Sequence, residues 1–130
     1  MDKSGETHTM KMAWRRRSNC PISFALDIFG DRWSLLIIRD MMFGRKTTYG
    51  EFLESDEKIS TNILADRLHR LEAAGIIRKA SYVEDRRKIE YRLTEKGLRL
   101  EPVLQAMALW SAAHNRDTPV PKKYLGSVLK

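Results

Sequence analysis

In the stretch 58–76, apolar residues recur at Leu64, Leu68 and Leu71, which places them on one stripe of a helix that faces a core. The other side carries Thr61, Asn62, Ala65, Asp66 and His69, all small or hydrogen-bonding. Both ends are marked. Ser60 can accept a hydrogen bond from a first-turn N–H, and Ile59 and Leu64 are spaced as a hydrophobic staple. Gly75 suits the left-handed position past the last turn, where Ile76 can close back on Leu71. The pattern predicts a helix over about 61–74. Its polar side suits the major groove of DNA, where Asn bonds adenine edges and Thr or Ala meets the thymine methyl. The same pattern would also serve an ordinary amphipathic helix with a solvated face.

Upstream, Cys20-Pro21 opens a helix with proline at its first position, and Ala25, Ile28 and Phe29 form its apolar face before Gly30. Asp31 caps a second helix over 32–43, which is largely apolar through Trp33, Leu36, Ile37, Met41 and Phe43 and stops at Gly44. Thr48 and Glu51 have capping-box spacing and begin a short third helix through about Glu54. Two helices joined by the polar link 55–58 make a helix-turn-helix.

After Gly75 the period changes. Residues 76–82 read as one strand, and Ile89, Tyr91 and Leu93 alternate with Glu90 and Arg92 as a half-buried second strand. Between them, Glu84-Asp85-Arg86-Arg87-Lys88 forms a charged tip, so that 82–89 is a wing. Its three consecutive cations suit phosphates or a narrow minor groove. Thr94 caps a last helix, in which Pro102 predicts a kink or restart near Glu101. Leu100, Leu104, Met107 and Trp110 offer more apolar surface than one small domain needs, which points to burial against a second subunit.

The 130 residues support one domain with a modest core, and a net charge of +7 suits a polyanionic partner. Residues 1–17 read as a flexible basic extension ending in Arg15-Arg16-Arg17, 18–114 as the domain, and 115–130 as a low-order tail. One cysteine excludes an intrachain disulfide and suits a reducing cytoplasm; no apolar run approaches a membrane span. His8, His69 and His114 are scattered, and no metal-spaced cluster or Gly-rich phosphate loop occurs, so neither an enzyme nor a metal or cofactor is expected.

Leu26-Asp27-Ile28-Phe29-Gly30-Asp31-Arg32-Trp33, the apolar run to Asp40, Ile59-Ser60, Arg67-Leu68 and Tyr91-Arg92-Leu93-Thr94-Glu95-Lys96-Gly97 resemble the HxlR-type regulators of bacteria, over about 20–110. The charged wing tip is closer to that of the related MarR-type regulators. The resemblance implies a cytoplasmic, homodimeric winged helix-turn-helix transcription factor that is mainly α with a small β-hairpin, dimerising through its first and last helices. Carried over by position, Thr61, Asn62, Ala65, Asp66 and His69 face bases, whereas Ser60, Arg86, Arg87, Lys88 and, with less weight, Arg67 meet phosphates. Arg67 lies nearer the leucine stripe and could instead be an internal ion-pair partner.

The expected partner is double-stranded DNA with a pseudo-palindromic operator. Some HxlR-type members respond to oxidants or electrophiles through the cysteine of the Cys-Pro pair, and Cys20 stands at a helix N-terminus near three arginines. A redox- or electrophile-sensing regulator switched through Cys20 is therefore an alternative. A winged-helix interaction module that does not bind DNA is another. A cavity between the central helix and the dimer helices could accept an apolar effector, although Trp33, Met41, Met42 and Trp110 are more often plain core.

Overall fold

The computed structural model describes residues 18–81, 89–115, 117 and 119–125. Its elements run α1 (Pro21–Phe29), α2 (Ser34–Met42), α3 (Tyr49–Leu53), α4 (Thr61–Ala73), β1 (Ile77–Ser81), β2 (Ile89–Leu93), α5 (Glu95–Leu98) and α6 (Glu101–His114), followed by a 3-10 turn at Lys122–Leu125. Ile37 and Ile38 from α2, Phe52 from α3, and Leu64, Leu68 and Leu71 from α4 form the centre of one core, each at most 3% exposed. Burying each such side chain contributes roughly 1.5–3 kcal/mol, so α2 and α4 are held by apolar area rather than by helix propensity.

The helix starts follow local chemistry. Asp31 Oδ2 accepts from the N–H groups of Trp33 and Ser34, both at 3.0 Å, and its Oδ1 accepts from the Ser34 hydroxyl. The predicted cap is present, but Arg32 and Trp33 form a turn and α2 begins at Ser34 rather than at 32. Thr48 and Glu51 form the full capping box. Pro102 lies in the first turn of α6, where no intrahelical donor is lost, and the predicted restart is a break between Leu98 and Glu101.

The hairpin is antiparallel, with Ile77 opposite Leu93 and Lys79 opposite Tyr91. β1 starts at Ile77, not Ile76, because the Ile76 N–H turns back to the Leu71 carbonyl. The expected alternation holds at Tyr91 and Leu93 but fails at Ile89, which is exposed, while Glu90 is partly buried. The cause is a neighbour that the period did not reveal. Thr48 bridges Glu90, and the Tyr91 N–H donates to the Thr47 carbonyl at 2.7 Å, so residues 47–48 flank β2 on its outer edge. Within the segment expected as a tail, the Tyr124 ring packs edge-on against Phe43 at 5.0 Å.

Candidate nucleic-acid interface

α4 is fastened at both ends. At its start, Ser60 is the N-cap and its Oγ accepts from the Ile63 N–H at 3.2 Å; Ile59 and Leu64, the staple pair, are both buried in the core. The Tyr49 hydroxyl donates to the Thr61 carbonyl at 2.8 Å, which ties the N-termini of the two helices of the helix-turn-helix together. Lys58, two residues before the cap, has φ +59°, a left-handed conformation uncommon outside glycine.

At its end, Gly75 has φ +78°, its N–H donates to Glu72 O, and Ile76 N–H donates to Leu71 O, which is the Schellman closure the sequence predicted. The Thr94-Glu95-Lys96-Gly97 segment then clamps this end. Lys96 Nζ donates to the Ala74 carbonyl at 2.7 Å, a cation at a helix C-terminus. The Thr94 hydroxyl reaches the carbonyls of Gly75 and Ile76 while accepting from the Gly97 N–H. Gly97 is required by space, because a Cβ there would stand 2.3 Å from the Ile76 carbonyl oxygen.

With its leucines inward, α4 presents Thr61, Asn62, Ala65, Asp66 and His69 to solvent, and all five are exposed. The structure therefore brings the predicted base-facing set onto one accessible surface. Asp66 is not a free negative charge there. It pairs with Arg67 and lies 3.9 Å from Arg70. Ser60 is exposed at the same end.

Arg67 sits apart from this set. Its Nε donates to Asp31 Oδ2 at 2.8 Å and its side chain is only one-fifth exposed, so it joins α4 to the turn before α2. Of its two sequence readings, internal ion pair and phosphate contact, the structure shows the first. Burial opposes ionisation of Asp31, but the Ser34 and Arg67 side chains and the Trp33 and Ser34 amides outweigh it and hold the carboxyl at about 2.

A second ion pair was not singled out in the sequence. Arg39 on α2 grips Glu57 through two bonds of 2.8 and 2.9 Å and also bonds Asp40, which fixes the link that leads into α4. Glu57 is held at about 2, chiefly by Arg39. Arg86, Arg87 and Lys88 lie outside the described residues.

The Cys20 thiol side is exposed at the N-cap of α1. Of the candidate dimer residues, Leu100 and Leu104 pack against the chain's own core, whereas Met107 and Trp110 are 51% and 66% exposed. Ile22 and Leu26, one turn apart on α1, are also exposed. An apolar hollow of about 270 Å³ lies between α2 and α6, lined in part by Leu36, Phe43, Leu104 and Met107. Trp33, Met41 and Met42 instead belong to the core or its edge.

This arrangement of a tethered helix-turn-helix and a hairpin meets a match in known proteins. The profile of the HxlR-like helix-turn-helix family covers residues 28–118. The chain belongs to that family. An uncharacterized HTH-type transcriptional regulator of Bacillus subtilis strain 168, YybR, is 35% identical over 107 residues, spanning 82% of this chain and 84% of YybR. The HxlR-like fold also matches the crystal structure of PA1607, with a TM-score of 0.70 and 38% identity over 77% of this chain and 68% of that one. It matches the redox regulator HypR in its oxidized form, with a TM-score of 0.64 and 35% identity over 72% of this chain and 96% of HypR. The protein is thus an HxlR-like transcriptional regulator with a winged helix-turn-helix fold.

Proposed function

We propose that the protein binds a pseudo-palindromic operator as a homodimer in the cytoplasm, with α4 in the major groove and the wing, 82–89, on the backbone. The observation that carries this reading is the division of α4 into two sides. Leu64, Leu68 and Leu71 are at most 2% exposed, and the opposite side holds only short or hydrogen-bonding exposed groups. Such a helix can enter a groove without stripping water from a large apolar surface. Dimerisation is supported by the exposed large apolar side chains Ile22 and Leu26 on α1 and Met107, Leu109 and Trp110 on α6, which a partner surface would remove from water. Two-fold symmetry would set the recognition helices about 34 Å apart, one turn of B-form DNA.

Gel shifts with the DNA flanking its own coding sequence test the proposal. A shifted band that survives excess unrelated duplex is expected. Binding indifferent to sequence would remove operator recognition, and absence of binding would leave the winged-helix interaction module.

A second reading adds redox control. Cys20 is exposed at the start of α1, beside the proposed dimer surface, and HypR is a redox regulator. Oxidation of Cys20 would move α1 and so change the separation of the two recognition helices. With a single cysteine per chain, the thiol would be joined to the second subunit or to a small thiol. Wild type should lose or gain DNA affinity with diamide while Cys20→Ser does not; identical responses would dismiss the switch.

A further inference from the structure

On the outer face of the hairpin, Arg78 of β1 stands directly opposite Arg92 of β2. Like charges directly opposite on an antiparallel pair are destabilising, so folding alone does not favour this register of side chains. The antiparallel bridge of Thr48 to Glu90 continues the row, setting Lys46 near Arg92 on the other side. These cations and Arg45 rim an open groove of about 340 Å³ that also includes Met41 and Leu98.

The rim carries unspent positive charge. Arg92 pairs with Glu90, and Lys46 lies 3.7 Å from Asp40, a carboxylate already bonded by Arg39. Among the described residues, Arg45 and Arg78 have no ion pair, and both are exposed. A like-charge pair and two guanidiniums without an ion pair around one concavity favour an anion there. Guanidinium forks match phosphate oxygens through paired N–H donors.

We propose that this groove, at the base of the wing and separate from the recognition helix, binds a phosphate group. Two sources carry that chemistry: the backbone of DNA flanking the operator, in which case the inference rests on the DNA-binding reading above, and a small free phosphate compound, in which case it does not. A phosphate bridging Arg78 and Arg92 would turn their repulsion into a shared attraction and tighten the hairpin on which the wing tip is carried.

The test uses the full chain as wild type, Arg78→Gln/Arg92→Gln, and Lys79→Gln as a charge control from the neighbouring position on the other face of β1. Thermal unfolding is followed with and without inorganic pyrophosphate at constant ionic strength. Affinity for a labelled duplex of about 30 base pairs is followed against salt. A free phosphate source predicts that pyrophosphate raises the wild-type Tm by about 2–4 °C and leaves the double variant unmoved. A DNA source predicts that the slope of log affinity against log salt becomes shallower by about 1–2 in the double variant alone. If neither readout separates the double variant from wild type, or if Lys79→Gln changes it equally, the groove is not a phosphate site. Absence of wild-type duplex binding would sink the DNA reading, while the pyrophosphate arm would still decide the groove.

Discussion

Arg67 Nε lies 2.8 Å from Asp31 Oδ2, which joins the middle of the recognition helix to the cap that starts the buried helix α2. The same carboxylate therefore both starts α2 and orients α4. Asp31→Asn keeps the shape but loses the charge, and should lower stability by about 1–2 kcal/mol. Its effect on DNA affinity should exceed that of an equally destabilising core change such as Ile37→Val. Chemical denaturation beside gel shifts checks this; affinity that merely tracks stability would reduce the pair to a structural tie.

The pH dependence has a definite sign. Asp31 and Glu57 both ionise at about 2 in the folded chain, below their ordinary values of 3.8 and 4.5. Their contribution is thus complete above the unfolded values and is lost as pH falls from about 4.5 toward 2. In Asp31→Asn with Glu57→Gln, the fall in Tm over that window should be smaller than in wild type. Both groups are partly solvated, so high salt should shrink the difference.

Two glycines should fail for different reasons. At Gly75 a Cβ meets only Lys96 Cδ at 3.9 Å, so Gly75→Ala suffers backbone strain alone and should cost about 1–2 kcal/mol. At Gly97 the Cβ would collide with backbone, so Gly97→Ala must displace either α5 or Ile76 and should cost more. Urea unfolding of both variants, with a smaller loss at Gly97, would contradict this packing.

The exposed side of α4 should separate specificity from grip. Asn62→Ala should cost roughly 1–3 kcal/mol against the best operator and relax preference at one base position. Replacing Arg86, Arg87 and Lys88 together should weaken binding to all sequences and flatten the salt slope by up to about 3. Titrations over several salt concentrations distinguish the two patterns.

The exposed apolar side chains of α1 and α6 give a prediction about assembly. Trp110→Glu and Ile22→Glu change side chains that are 66% and 69% exposed, so neither should unfold the chain. Sedimentation velocity should show a shift to monomer with unchanged circular dichroism. A wild type that is already monomeric would reject the interface.

The parts legible in the sequence are those fixed by chemistry three to five residues apart. Ser60 to Ile63, Thr48 to Glu51 and Gly75 with Ile76 back to Leu71 each form as their spacing predicts. The leucine stripe is legible for the same reason, since one helical period sets which side is dry. Contacts between distant segments left no such trace. Arg39 reaches Glu57 across 18 positions, and Thr47 meets Tyr91 across 44, a pairing that explains why Glu90 is shielded and Ile89 is not. The cationic row at 46, 92 and 78 comes from three separate stretches and is assembled only by strand register.

Because Tyr49 holds the front of α4 and Lys96 its rear, the rod cannot slide along its own axis without giving up one anchor. Nor can it roll freely while Arg67 is latched to Asp31. A signal arriving elsewhere in the protein is therefore poorly placed to reshape the reading head itself. In the proposed dimer, what would remain adjustable is the distance between two intact heads, so control would act like a caliper, opening or closing on the pitch of the double helix.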